Sequence, residues 1–214
     1  MSSKKTRRKK TPARLTASER RTQLVEIARA VFARRGFEAT SVEEIAARAK
    51  VSKPIVYEHF GGKEGLYAVL VDREMDHVVT LIAEAISSGT PRERVEHAAL
   101  AFLSYVRDHP DGFIVLSRDA PVTLAHGGMS SLLNDVAERV ADVFTTTFKQ
   151  AGYDPKTAPI YAHALVGMVT FAGQWWIEVR KPPIEEVASH LAALCWMGLR
   201  HLPRRPKLTT DAPR

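Results

Sequence analysis

The chain has 214 residues, 31 Lys and Arg against 24 Asp and Glu, 45% hydrophobic residues and one cysteine, Cys195, so an internal disulfide and any zinc site built on two cysteines are excluded. That length suits one generous core or two small ones. Residues 1–65 carry 16 basic against 7 acidic side chains (net +9), residues 66–199 carry 10 against 16 (net −6), and residues 200–214 carry 5 against 1 (net +4), so the partner of the N-terminal block is a polyanion, nucleic acid or an anionic membrane.

Residues 1–17 are basic without apolar periodicity, which predicts a disordered arm. No apolar run follows them, so they do not read as a secretory signal, and a cytoplasmic protein is expected. Ser18 offers an N-cap to a helix whose Leu24, Ile27, Ala28, Val31 and Phe32 recur at three and four and which ends at Gly36. Ser41 and Glu44 have capping-box spacing and open a short second helix that buries Val42, Ile45, Ala46 and Ala49. Ser52 caps a third, with Pro54 in its first turn, Val56 and Phe60 inward and Gly61-Gly62 as its stop.

A long helix is predicted from Lys63 to Ser87, another from the Thr90–Glu93 capping box to Pro110, and a brief helical piece over residues 111–118. A loop with Pro and Gly, 119–128, precedes a helix over 131–150. Pro155 starts a helix ending near Arg180, and Pro182-Pro183 break the chain before a last helix, 184–202. The stretch 157–177 has no Asp, Glu, Lys or Arg and is long enough for a membrane span. It holds Pro159, His163, Thr170 and Gln174, however, and reads as a helix buried by protein, with no membrane as partner. Residues 203–214 read as a disordered tail. The expected fold is all-α, with about nine helices.

Two short helices joined by a tight turn, the second opening with Ser and carrying polar residues outward, describe a helix-turn-helix. A major groove about 12 Å wide admits one helix while its partner braces it across the backbone. Ile45, Ala46, Val51, Val56 and Phe60 lock the pair, leaving Lys53, Ile55, Tyr57, Glu58 and His59 outside. Lys50 stands in the turn where glycine is common, so either a lysine takes a left-handed conformation or the turn differs locally.

The stretch TSVEEIAARAKVSKPIVYEHFGGKEGLYAVL, residues 40–70, with VFARRGF before it, resembles the DNA-binding signature of the TetR family of bacterial transcriptional regulators. The combination of Gly36-Phe37, Ile45-Ala46, Val51-Ser52, Tyr57-x-His59-Phe60 and Lys63-Glu64 carries the likeness. It implies a three-helix DNA-binding domain over 18–65 and a helical ligand-binding and dimerising domain over 66–202. It also implies that Ser41, Tyr57 and Lys63 contact phosphates and that Lys53, Pro54, Ile55 and His59 face the groove behind Ser52. Ile55 stands where a small polar residue is common and suits a thymine methyl. His59 fits a phosphate contact and a helix-end hydrogen bond equally. The basic arm reads as a solvated tail or, beside this motif, as a backbone or minor-groove contact.

The C-terminal part offers no nucleophile–base pair, metal spacing or phosphate loop, so neither an enzyme nor a cofactor is expected. Phe102, Tyr105, Phe113, Phe144, Met168, Phe171 and Trp175 are candidates to line a pocket, with plain core packing as the other reading. Neighbours on a helix are about 100° apart, so of Trp175 and Trp176 one faces a cavity and the other a partner subunit. Gly167 and Gly173 suit close helix contact across a dimer. The final helix, with Val187, Leu191, Leu194, Cys195 and Met197 or Gly198, completes by resemblance a homodimer interface made of the last two helices. With no cationic cluster in this part, a hydrophobic effector is expected, such as a fatty acyl chain or acyl-CoA. The segment LVGMVTFAGQWWIEVRKPP is similar to regulators of lipid metabolism in actinobacteria. The expected protein is a dimeric repressor that binds a palindromic double-stranded DNA operator and is released by its effector. The competing expectation is a non-specific nucleoid-type DNA-binding protein.

Overall fold

The computed structural model describes residues 15–117 and 130–207, so the loop expected over 119–128 and most of the expected arm and tail lie outside the described residues. Among the described residues there are nine α-helices and no strand: α1 Ala17–Arg35, α2 Val42–Ala49, α3 Lys53–Phe60, α4 Lys63–Ala85, α5 Pro91–Asp108, α6 Pro110–Ser117, α7 Ser130–Ala151, α8 Ala158–Val179 and α9 Ile184–Arg200. A single 3-10 turn, Pro155–Thr157, leads into α8, because Asp154 accepts from the Lys156 N–H at 3.0 Å.

The cap of α1 is Thr16, not the expected Ser18. Its hydroxyl accepts from the Glu19 N–H at 3.2 Å while the Glu19 carboxylate accepts from the Thr16 N–H at 2.8 Å. A cap at Ser18 would put Arg21 at the third helical position, where nothing returns the bond. Ser41 caps α2 through the Glu44 N–H at 3.2 Å, but only that half of the box forms. The Glu44 carboxylate turns instead to Arg48 at 2.9 Å and Arg35 at 3.4 Å. Lys50 does take the left-handed conformation, φ 55 and ψ 44, and the Val51 N–H returns to the Ala46 carbonyl at 3.0 Å.

Two apolar cores organise the molecule. The first gathers Leu24, Val25, Ala28, Val31 and Phe32 of α1, Ile45 and Ala46 of α2, Val56 of α3 and Leu66, Tyr67 and Leu70 of α4. The second joins Met75 and Val78 of α4, Leu103, Tyr105 and Val106 of α5, Trp176 of α8 and Ile184, Val187, Ala188 and Ala192 of α9. Helix α6 serves both: Val115 enters the first core, Phe113 and Leu116 the second. The long α4 likewise runs from one core into the other.

The faces of α8 differ from the sequence expectation. Ala158, Ala162, Thr170, Gly173 and Trp176 are buried, whereas Ile160, Ala164, Phe171, Trp175 and Val179, spaced at four and seven, form an exposed stripe. The helix, uncharged up to Glu178, is thus buried on one side only. Among the described residues no helix is long and apolar enough to cross a membrane.

Candidate nucleic-acid interface

Helix α3 is held from behind and open in front. Val56 is its one fully buried side chain, and Phe60 is half-buried. The Arg21 guanidinium of α1 donates to the His59 carbonyl at 2.5 Å and lies 4.5 Å from the Phe60 ring centroid. A cation on one of the last carbonyls of a helix also meets the negative end of its dipole. Gly61, φ 74, closes the helix in the left-handed conformation, its N–H donating to the Tyr57 carbonyl at 2.8 Å. Gly65 lets the first turn of α4 rest on α3, since a Cβ there would stand 1.9 Å from the Phe60 carbonyl oxygen.

The open side presents Ser41, Ser52, Lys53, Pro54 and Tyr57, all exposed. The Ser52 hydroxyl makes no capping bond, although the residue occupies the N-cap. Pro54 carries no N–H and the Ile55 N–H donates to the Ser52 carbonyl at 3.1 Å, so the start of α3 offers the Ser52 hydroxyl and the Lys53 backbone N–H, a pair suited to a phosphate. Tyr57 is 46% exposed despite its ring, with the Lys53 ammonium 5.5 Å from the ring centroid. Lys53 also pairs with Glu43 of α2. That hydrogen bond holds the Glu43 carboxyl below the usual carboxylate range and raises Lys53 above its ordinary value.

Three other expected contacts sit differently. Ile55 is half-buried and packs on the first core. His59 is half-buried, its ring tilted 50° against Phe60 with centroids 6.0 Å apart. Lys63 is turned inward: its ammonium donates to the Phe37 carbonyl at 3.1 Å and lies 4.2 Å from the Phe37 ring centroid. The spacing missed Arg21 and Glu43. Arg21 precedes Leu24 by three and Ala28 by seven, so it is a charge on the buried stripe of α1, and that misplacement was its only signal.

The residues expected to line a pocket fall into three groups. Phe102 and Phe113 meet edge to face, 5.9 Å apart, with Gly173 against both and Val106. Gly173 therefore faces the interior of its own protomer, which corrects its assignment to a dimer contact. Tyr105 is buried beside them, but its hydroxyl donates to Glu74 at 2.8 Å. Phe144 stacks on Phe148 at 5.8 Å, within a cluster completed by Tyr153 and Tyr161. Met168 is half-buried on α8.

Phe171 and Trp175 are 68% and 50% exposed and line no interior surface of the protomer, so their assignment to the pocket is corrected. The inward member of the Trp pair is Trp176, whose indole N–H donates to the Pro182 carbonyl at 2.8 Å. That anchor rotates Trp175 outward. On α9, Val187 and Cys195 face inward while Leu194, Met197 and Gly198 are exposed, so the expected single side is two.

An all-α fold whose second and third helices form an exposed pair joined by a tight turn on a basic N-terminal unit defines a helix-turn-helix DNA-binding protein. Residues 24–70 match the model of bacterial regulatory proteins of the tetR family, and residues 80–209 match that of the tetracyclin repressor-like C-terminal domain. The chain belongs to the TetR family of transcriptional regulators, which are DNA-binding transcription factors rather than enzymes. It is 30% identical over 193 residues to the transcriptional activator FasR of Mycolicibacterium smegmatis, covering 89% of this chain and 87% of that protein. A TetR-like transcriptional regulator from Rhodococcus sp. RHA1 superposes with TM-score 0.73 at 28% identity, over 88% of this chain and 100% of that one. The fatty acid degradation regulator FadR from Bacillus halodurans shares the fold, with TM-score 0.71 at 18% identity over 91% and 100% of the two chains.

Proposed function

We propose that two copies of this chain bind a palindromic operator through α3 and release it when a hydrophobic effector enters the C-terminal body. The observation that carries the DNA reading is the open side of α3: Ser52 without a capping bond, and Lys53, Pro54 and Tyr57 exposed, while Val56 and Arg21 hold the helix from behind. In this reading Ser41, Ser52 and Tyr57 meet phosphates, and Lys53, Pro54 and His59 reach the groove with the edge of Ile55 beside them. Lys63 acts from inside, by joining α4 to the chain that precedes α2.

The partner of the exposed stripe of α8 and of Leu194 and Met197 on α9 is a second copy of the chain. A single recognition helix spans too few base pairs for useful specificity, so two must be held about one helical turn apart, and an isologous contact of two such faces does this. Apolar side chains exposed at this density call for a protein partner.

For the effector, the second core supports an apolar compound such as a fatty acyl chain or acyl-CoA. Among the described residues Glu74 is the one buried charged side chain, and the rings of Phe102 and Phe113 meet edge to face with Gly173 packed against both. The fatty acid degradation regulator with this fold is in keeping with that chemistry. Ligand release of DNA suits a repressor. FasR of Mycolicibacterium smegmatis, by contrast, is named an activator.

Selection of duplexes from a random pool, followed by binding at physiological salt, tests the reading. A selected palindrome should bind roughly a thousandfold or more tighter than random duplex, and palmitoyl-CoA should lower that affinity roughly 5- to 150-fold. Equal binding of all sequences would make the protein a nucleoid-type binder instead.

A further inference from the structure

Glu74, on α4, is 2% exposed, and each of its carboxylate oxygens is bound by a different part of the molecule. Oε1 accepts from Arg29 Nε of α1 at 2.6 Å, within the DNA-reading unit. Oε2 accepts from the Tyr105 hydroxyl of α5 at 2.8 Å, within the second core. Helix α6 closes over the same oxygen at Gly112, where a Cβ would stand 2.1 Å from Oε2 and 2.6 Å from the Tyr105 hydroxyl. The Tyr105 ring is stacked by His109 at 5.4 Å and met edge-on by His77 at 5.5 Å. Burial and the neighbouring carboxylate push the Tyr105 hydroxyl well above its ordinary range, so it remains a proton donor.

A buried ion pair is a weak source of net stability, since an apolar side chain of the same volume often does as well. Its hydrogen bonds, however, fix distance and direction, which sliding apolar surfaces do not. Here one carboxylate fixes the DNA-reading unit against the C-terminal body. We propose that Glu74 is a positioning residue that sets the docking angle of the reading unit, and that the Tyr105 hydroxyl is where the state of the second core reaches it.

In a dimer that angle sets the distance between the two α3 helices, and so the spacing of half-sites that bind. A compound parting α5 from α6 must first take the Tyr105 hydroxyl off Glu74 or lift Gly112 from it, which frees Arg29 and α1 to swing. This rests on the palindromic-operator reading above.

The experiment selects, from duplex libraries holding two inverted half-sites separated by zero to about ten base pairs, the spacings bound by the parent, by Tyr105→Phe and by Glu74→Met. Tyr105→Phe keeps the ring and removes only the hydroxyl, so it carries the test if Glu74→Met does not fold. The parent should select a narrow set of spacings. Both variants should broaden it, lose about 2- to 30-fold in affinity at the parental spacing, and keep the parental half-site sequence and single half-site affinity. A merely structural role would lower thermal stability and leave the spacing distribution unchanged. An unchanged distribution in folded Tyr105→Phe overturns the proposal. A parent that selects no palindrome overturns the operator reading itself, and the proposal with it.

Discussion

Replacing Gly112 with Ala places a carbon 2.1 Å from Glu74 Oε2 and 2.8 Å from its Cδ. A carbon and an oxygen need about 3.3 Å, so the carboxylate or α6 must move by about 1 Å. The carboxylate is the end of a side chain, but this end is held by Arg29 at 2.6 Å and Tyr105 at 2.8 Å and has no solvent to move into. Overpacking costs about 1–3 kcal/mol, and losing a hydrogen bond to a buried charge costs about 1.5–3 kcal/mol. Against this, Ala gains about 0.5–1 kcal/mol over Gly within a helix. The net is a loss of about 2–5 kcal/mol, and at this length a melting temperature lower by roughly 5–15 °C. Urea unfolding at fixed protein concentration, followed by far-ultraviolet circular dichroism, measures it. Gly167→Ala is the control: its Cβ would meet nothing within 4 Å, and the variant should match or exceed the parent. A Gly112→Ala protein with the parental midpoint would refute the tight closure of α6 on the carboxylate.

Lys63→Met should lower stability by about 1–3 kcal/mol, through loss of a charged donor on the Phe37 carbonyl and of the ring contact, without changing the salt dependence of DNA binding. A salt slope smaller by about one unit would return Lys63 to the phosphate contacts. Phe171→Asp with Trp175→Glu should give a folded monomer that has lost operator affinity, seen by analytical ultracentrifugation and gel shift, and a stable dimer would exclude that face. Gly173→Asp, by contrast, should fail in the fold, because its Cβ would lie 3.2 Å from Val106 and 3.3 Å from the Phe113 ring. Lys50→Gly should raise stability by about 0.5–1 kcal/mol by relieving the left-handed lysine at φ 55; a lower urea midpoint would count against strain at that turn.

Local chemistry determined the elements and made them legible in order. The Ser41 cap, the Thr90–Glu93 box, the Gly61-Gly62 stop and the Pro breaks act within a turn or two of chain, and each falls where spacing predicts it. The motif from Thr40 to Leu70 was legible for the same reason, since a helix-turn-helix is built from contacts between neighbours in sequence. Which way a side chain faces across the molecule is another kind of question. Helix α8 is apolar nearly all round, so no period in its sequence distinguishes its two faces, and only the anchoring of the Trp176 indole on Pro182 turns Trp175 and Phe171 outward and Gly173 inward. Lys63 has a charge that suits a phosphate, and only the approach of Phe37, 26 residues earlier, draws it inward. Glu74 reads in sequence as one more acid on a long helix. Its burial is decided by α1, α5 and α6 converging on it, because desolvating a carboxylate is tolerable only where Arg29 and Tyr105, 45 and 31 residues away, arrive together.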